Sequence, residues 1–344
     1  MRVLTVNAGS TSLKLAFVDG ESVFATPSSL DDALAGDRPD CVAHRVVHGG
    51  GRSAATVVDD AVLEELRALT DLAPLHQPAA LAAIDACRAR WPTVRNVACF
   101  DTAFHATVPP AARTYALPTR YRTVVRAYGF HGISYAWTTA RMRLLAPDAR
   151  RVLIAHLGGG QSLCATLEGR SVATTMGFSP LDGLVMATRC GSLDPGAVLW
   201  LERHLVDGDD LQDVLETESG LHGLCGTADM RAVHTRVAAG DPDAQLAFDV
   251  WRHRAVEHAG ACIAAMGGLD ALVFTGGIGE HDPVARAALV EGLGWLGAAM
   301  RDRGDDSGEH EITAPSSSIR CFVIPAREEL QLAAEARACL RGVL

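Results

Sequence analysis

Apolar residues 3–6 and 13–18 flank a run of small polar residues, Asn7-Ala8-Gly9-Ser10-Thr11-Ser12, a pattern that predicts a strand, a tight turn and a returning strand. The pattern recurs where 152–155 and 163–166 flank His156-Leu157-Gly158-Gly159-Gly160-Gln161-Ser162. Laid over one another, Val3, Leu4, Gly9 and Ala16 meet Val152, Leu153, Gly158 and Ala165 without a gap, which suggests two similar domains. Helical periodicity over 60–70 and 78–90 predicts two helices, 94–100 reads as a buried strand, and 241–266 as a long helix. A second buried strand at 270–275 is broken by Gly276-Gly277-Ile278-Gly279-Glu280 and followed by a helix from about Pro283. A strand at 319–324 leads into a terminal helix at 328–340, and the polar stretch 301–318 reads as a loop. Alternation of this kind predicts an α/β fold, with sheets covered by helices.

Composition narrows the function. With 344 residues, 48% of them hydrophobic, the chain can bury the cores of two domains. Its formal charge of -10 and the lack of a basic cluster interleaved with aromatics argue against a nucleic-acid partner, so an anionic ligand has to be held by local positive charge. Lys14 is the sole lysine among 31 basic side chains, the rest being arginine. A background so biased toward arginine leaves lysine where a compact ammonium is needed, and Ser10, Ser12 and Lys14 together with backbone amides suit phosphate oxygens. The nine cysteines form no Cys-x-x-Cys pair, and their odd number fits buried thiols in a reducing cytosol. No signal peptide precedes the first strand and no apolar run approaches membrane-spanning length, so a cytoplasmic, soluble protein is expected.

Three glycine-bearing turns follow strands: 7–12, 156–160 and 276–280. Phosphate and nucleotide sites combine strand ends with such turns because glycine lets the backbone approach the ligand. No Gly-x-x-x-x-Gly-Lys-Ser/Thr loop is present.

The motifs resemble those of the acetate and short-chain carboxylate kinases. They are Asn7 to Lys14, His44-Arg45-Val46-Val47-His48-Gly49-Gly50, Pro74-Leu75-His76 and Phe100-Asp101-Thr102-Ala103-Phe104-His105, then Tyr128-Gly129-Phe130-His131-Gly132, Met176-Gly177-Phe178, Thr188-Arg189-Cys190-Gly191-Ser192 and residues 274–280. The resemblance spans nearly the whole chain. It implies a duplicated, two-domain ribonuclease H-like fold of the actin, sugar kinase and Hsp70 ATPase type, with a nucleotide cleft between domains. The expected domains are 1–107 plus the terminal helix 328–344, and 108–327, the latter carrying nucleotide-binding and dimerisation elements. A homodimer is implied too.

The implied reaction is ATP-dependent phosphorylation of acetate to acetyl phosphate, with ATP/ADP as cosubstrate and Mg2+, or Mn2+, as cofactor. Bringing phosphoryl and carboxylate together requires positioning and charge neutralisation more than covalent chemistry. By resemblance, Asp101, His131 and Arg189 are catalytic, Arg45 binds the carboxylate, and Val47, Leu75, Phe130 and Pro180 line a small acyl pocket. Asn7 and Glu328 take magnesium-linked roles. Nucleotide contacts fall on His156, Leu157, Gly158, Gly159 and Gly160, on Asp229, Met230 and Arg231, and on Gly277, Ile278, Gly279, Glu280 and His281.

Three features depart from the family pattern. The region between Gly20 and Cys41 is short, Gly159 stands where the family has an asparagine reaching toward the transferred phosphoryl, and Arg327 replaces the usual asparagine beside Glu328. Two other functional readings stay open: a kinase for another short-chain carboxylate such as propionate, and a weakly active nucleotide-binding sensor or scaffold.

Overall fold

A computed structural model describes residues 1–9, 13–206, 208–301 and 308–342. The chain divides into two compact units. The first comprises Met1–Thr107, Tyr128–Ala140 and Ala326–Leu344, and the second Val108–Ala127 and Arg141–Pro325. Residues 128–140 lie with the first unit, although the boundary read from the sequence at 107/108 put them in the second domain. Their tie is local: Gly132 N donates to the Asp101 carbonyl at 2.9 Å, and the His105 Nε2–H donates to the Phe130 carbonyl at 2.9 Å.

The first unit is built on a six-stranded sheet of β1 (Val3–Ala8), β2 (Leu13–Asp19), β3 (Ser22–Ala25), β4 (Cys41–Val46), β5 (Thr56–Val57) and β6 (Arg95–Phe100), in the order β3-β2-β1-β4-β6-β5. The second sheet holds β7 (Arg151–Leu157), β8 (Gln161–Leu167), β9 (Arg170–Thr174), β10 (Ala271–Thr275), β11 (His310–Glu311) and β12 (Arg320–Val323), in the order β9-β8-β7-β10-β12-β11. Each begins with an antiparallel meander, continues through two parallel pairings and ends on a short antiparallel edge. The likeness of two hairpins in the sequence is therefore a duplication of whole sheets.

All six residues of β1 are buried, and four of them, Val3, Leu4, Val6 and Ala8, are apolar, as burial on both faces of the sheet requires. Val3 packs with Cys41, Cys99 and Leu332 on one face, while Leu4 and Val6 meet Val42 and Ala83 on the other. The covering helices are Glu328–Arg341 and Gln77–Arg90. In the second unit the long helix Pro242–Met266 starts with an Asp241 cap and Pro242, and buries Trp251 against the core around β7 and β8.

Two local expectations are corrected. The glycine run 276–280 is not an open turn but the start of the short helix Gly276–His281: Gly276 takes a φ of 78° at the corner, where a Cβ would lie 2.8 Å from the Leu157 carbonyl. The stretch 301–318 is not loop throughout, for His310–Glu311 pairs with β12. Two residues are too short a run to show a strand period. In the short region after Gly20 the chain still makes β3 and the helix Leu30–Ala35, capped by Ser29. Among the described residues, no helix is long and apolar enough to cross a membrane, and all nine cysteines are free, seven of them buried.

Candidate active site

In the first unit, parallel pairing aligns Asn7 of β1 with Arg45 of β4, and Arg45 with Cys99 of β6. Asp101 follows β6 directly, so three polar side chains gather at the carboxyl ends of adjacent strands, where α/β sheets place ligands. Arg45 forks onto Asp101 Oδ2, with Nε at 3.0 Å and Nη2 at 2.6 Å, and its Nη1 donates to Asn7 Oδ1 at 3.0 Å. Asn7 Nδ2 then donates to Glu328 Oε2 at 2.6 Å, recruiting the start of the terminal helix. Lys14 is the cross-strand partner of Asn7 and is exposed, so its ammonium shares that face of the sheet. Ser10 and Ser12 lie outside the described residues.

Asp101 is 1% exposed, and its second oxygen, Oδ1, has no hydrogen-bond partner. Burial pushes this carboxyl up from its ordinary range, against the pull of Arg45 and with the added push of Glu328. Burial also works to discharge Arg45, but Asp101 and Glu328 overcome it and hold the guanidinium charged. A buried acceptor with no donor is costly, and it marks a place where a cation, water or a protonated group completes the site. The set of Asn7, Glu328 and the Asp101 oxygen suits magnesium, which keeps much of its water shell and uses few carboxylates. Bound there, magnesium would neutralise phosphate charge.

The neighbouring segments are knitted by backbone contacts that the sequence reading did not anticipate. Gln77, wholly buried, accepts from His48 N at 3.3 Å and donates to the His48 carbonyl at 3.2 Å, tying the segment of Val47 to that of Leu75 and His76. Thr102 Oγ1 accepts from Gly49 N at 3.2 Å. His131 sits in the left-handed region with a φ of 59°, an unusual conformation for a non-glycine residue and a frequent companion of functional sites. It is fixed by Gly132, where a Cβ would stand 2.2 Å from the Asp101 carbonyl oxygen. Of the expected acyl-pocket residues, Val47 and Phe130 are buried, at 3% and 1% exposure, and Leu75 is exposed at 39%. Pro180 belongs to the second unit.

In the second unit, register pairs β10 Thr275 with β7 His156, and His156 with β8 Ser162, so the second and third glycine segments share one sheet end. A Cβ at Gly158 would lie 3.9 Å from Gly277 N, which measures how closely these backbones approach. The Gly159 carbonyl accepts from Ala187 N at 3.2 Å, and Met186 N donates to the Arg189 carbonyl at 3.1 Å, so the turn carrying Arg189 rests on the 158–160 turn. Arg189 is partly exposed; its Nη1 donates to the Pro180 carbonyl at 3.2 Å. Burial pushes the Glu216 carboxyl up, while the nearby Arg189 charge draws it down. Thr275 Oγ1 and Gln161 Nε2 are buried without partners at this end of the sheet.

Two residues absent from the sequence reading hold the Gly276–His281 helix. Arg286, 2% exposed, donates through Nη1 to the Gly279 and Glu280 carbonyls at 2.8 Å each. His234 Nε2 lies 2.8 Å from Asp282 Oδ2, and Asp282 also caps the next helix through Ala285 N. A lone arginine within an apolar helical stretch was the available signal for Arg286. Asp229 caps the helix Met230–Ala238 and pairs with Arg231 at 2.8 Å, which holds its carboxyl below the ordinary range. Met230 and Leu157 turn their side chains into the core, so only their backbone is free to meet a nucleotide.

Comparison with known proteins gives the same picture. The description of the Acetokinase family fits residues 37–334. An acetate kinase of Rhodopseudomonas palustris is 45% identical over 304 residues, 86% of this chain and 76% of that protein. The crystal structure of Porphyromonas gingivalis acetate kinase superposes with a TM-score of 0.88 at 30% identity, covering 98% of this chain and 99% of the other. A propionate kinase from Francisella tularensis gives a TM-score of 0.89 at 32% identity over 97% and 98% of the two chains. With a family match across most of its length, two sheets of one topology and the arginine, carboxylate and glycine segments assembled at their ends, this chain belongs to the acetokinase family.

Proposed function

We propose that this protein is a cytoplasmic acetate kinase, catalysing reversible transfer of the γ-phosphoryl group of ATP to the carboxylate of acetate. An acetate oxygen forms the new P–O bond as the bond to the β-phosphate bridging oxygen breaks, giving acetyl phosphate and ADP. The observation that carries the reading is the Arg45–Asp101–Asn7–Glu328 network, because it couples a charged guanidinium to a buried carboxylate with an unfilled oxygen. In this reading Arg45 orients the acceptor carboxylate, Asp101 holds Arg45, and Asn7 and Glu328, with the free Asp101 oxygen, would hold magnesium, which would neutralise phosphate charge. His131 and Arg189 donate to the equatorial phosphoryl oxygens, and the segments 156–160, 229–231 and 277–281 hold the nucleotide. The acceptor needs no strong base, since carboxylates are ionised near neutral pH.

The acyl pocket proposed from Val47, Leu75, Phe130 and Pro180 is small and favours a one- or two-carbon tail. A second substrate, propionate, is favoured by the likeness to the Francisella propionate kinase, and one methylene changes discrimination by only about 1 to 3 kcal/mol. The protein acts as a homodimer in this reading. The support is the helix Pro195–His204, none of whose residues is buried, with Leu199 and Trp200 53% and 54% exposed beside Leu193 and Val206.

Incubation with Mg-ATP and C1 to C4 carboxylates, followed by trapping with hydroxylamine, tests the reading. The largest kcat/KM is expected for acetate, with propionate next, and Arg45→Ala and Arg189→Ala should each lower turnover on the order of 10³-fold with little change in ATP affinity. Absence of acyl hydroxamate with every carboxylate would leave only the scaffold reading.

A further inference from the structure

Arg189 projects from a self-bonded loop whose base is closed by one carboxylate. Asp182 Oδ1 accepts from Ser192 Oγ at 2.7 Å and from Gly183 N at 2.8 Å. Gly183 and Ser192 are joined again by Ser192 N donating to the Gly183 carbonyl at 2.9 Å, so the two ends of the loop meet at Asp182. From there the chain rises to the turn in which Met186 N donates to the Arg189 carbonyl. The other Asp182 oxygen faces the same point as Tyr115 Oη. A Cβ placed on Gly177 would lie 2.6 Å from Asp182 Oδ2 and 2.3 Å from Tyr115 Oη, and Tyr115 Oη accepts from Phe178 N at 3.0 Å. The loop end is also set against the long helix, with Ser192 Oγ 3.5 Å from His258 Nε2.

We propose that Asp182 is a positioning residue for Arg189, clasping both ends of the 183–192 loop so that the guanidinium is presented in one orientation to the phosphoryl group in flight. The proposal rests on the reading of Arg189 as a phosphoryl-contacting residue. Among the described residues Asp182 forms no ion pair, and its Oδ1 is engaged by the Ser192 hydroxyl and the Gly183 amide, the two groups that close the loop. Opening the clasp lets the turn shift, and a displacement of about 1 Å at a catalytic group can cost about 10²-fold in rate. The flexible arginine would still reach the nucleotide, so substrate binding changes little.

The experiment is a kinetic double-mutant cycle on the full chain with Mg-ATP and acetate. Asp182→Ala should lower kcat by roughly 10- to 100-fold with the KM for ATP within about twofold. Placed on Arg189→Ala, it should lower the residual kcat no further, because the residue it positions is gone. Ser192→Ala removes a single exposed hydroxyl, provides a well-folded second variant, and should lower kcat in the same selective way by a smaller factor. Wild-type kcat in Ser192→Ala and Asp182→Ala, alongside a disabled Arg189→Ala, would overturn the proposal alone. So would a multiplicative loss in the double variant, which would assign Asp182 an independent role. Wild-type turnover in Arg189→Ala would instead remove the reading of Arg189, and the proposal with it.

Discussion

At Gly159 a Cβ would meet nothing within 4 Å, and the backbone lies outside the left-handed region. The position is exposed and its carbonyl is bonded to Ala187, two residues before Arg189, so a side chain there would stand beside the turn that carries the arginine. Asparagine, the residue expected at this position from the family resemblance, can therefore be introduced without strain. If it supplies a donor to the phosphoryl group, Gly159→Asn should raise kcat on acetate, by an amount comparable to the roughly 2.7 to 4 kcal/mol that a preorganised donor contributes elsewhere. Steady-state kinetics on acetate and the C1 to C4 panel check this. An unchanged acetate kcat in a folded variant, with a loss on some other carboxylate, would mean that the glycine makes room for that acceptor. Lys14 shows how far single residues speak in sequence: its rarity pointed to a special position, and strand pairing puts it opposite Asn7. Asp101 shows the limit, since its motif identified it but only the fold reveals that one oxygen is engaged by Arg45 and the other is left over.

Among the elements, β4 and the segment after β6 contain two buried histidines that set the acid stability of the first unit. His44 donates from Nε2 to Asn96 Oδ1 at 2.8 Å, His105 to the Phe130 carbonyl, and burial pushes both imidazoles down to about 4. In the unfolded chain each would titrate near 6.5. Between those values the unfolded state binds protons that the native state refuses, so stability is full above about pH 6.5 and falls as pH drops toward 4. Each histidine should cost about 2 kcal/mol by pH 5. The urea midpoint of unfolding should therefore drop markedly from pH 7.5 to pH 5, and an unchanged midpoint would show that these rings charge freely. Helix positions were largely legible because their signals are local: Asp59, Asp241 and Asp282 cap the starts of Asp60–Arg67, Pro242–Met266 and Pro283–Gly292. The edge strands β5 and β11, two residues each, were not legible, since their pairing comes entirely from a neighbouring strand.

For the whole molecule, the helix Pro195–His204 provides the test of assembly. A Trp at the centre of an exposed apolar face commonly dominates an interface, with losses of 2 kcal/mol or more on truncation. Trp200→Glu should convert a light-scattering mass near twice 36.3 kDa into a single-chain mass, while leaving the fold intact because the side chain packs into no core of its own chain. A wild-type mass of one chain would end the homodimer reading. By itself the sequence determined the α/β class, the repeated hairpin, the acidic balance and the family motifs, because hydrophobic period, turn chemistry and motif residues are written in local order. Tertiary structure alone decided that Tyr128–Ala140 joins the first unit, that Asn7, Arg45, Asp101 and Glu328 form one network, and that Asp182 closes the Arg189 loop. Those relations join residues up to 321 positions apart, as between Asn7 and Glu328, and arise from strand order and register, which no local pattern encodes.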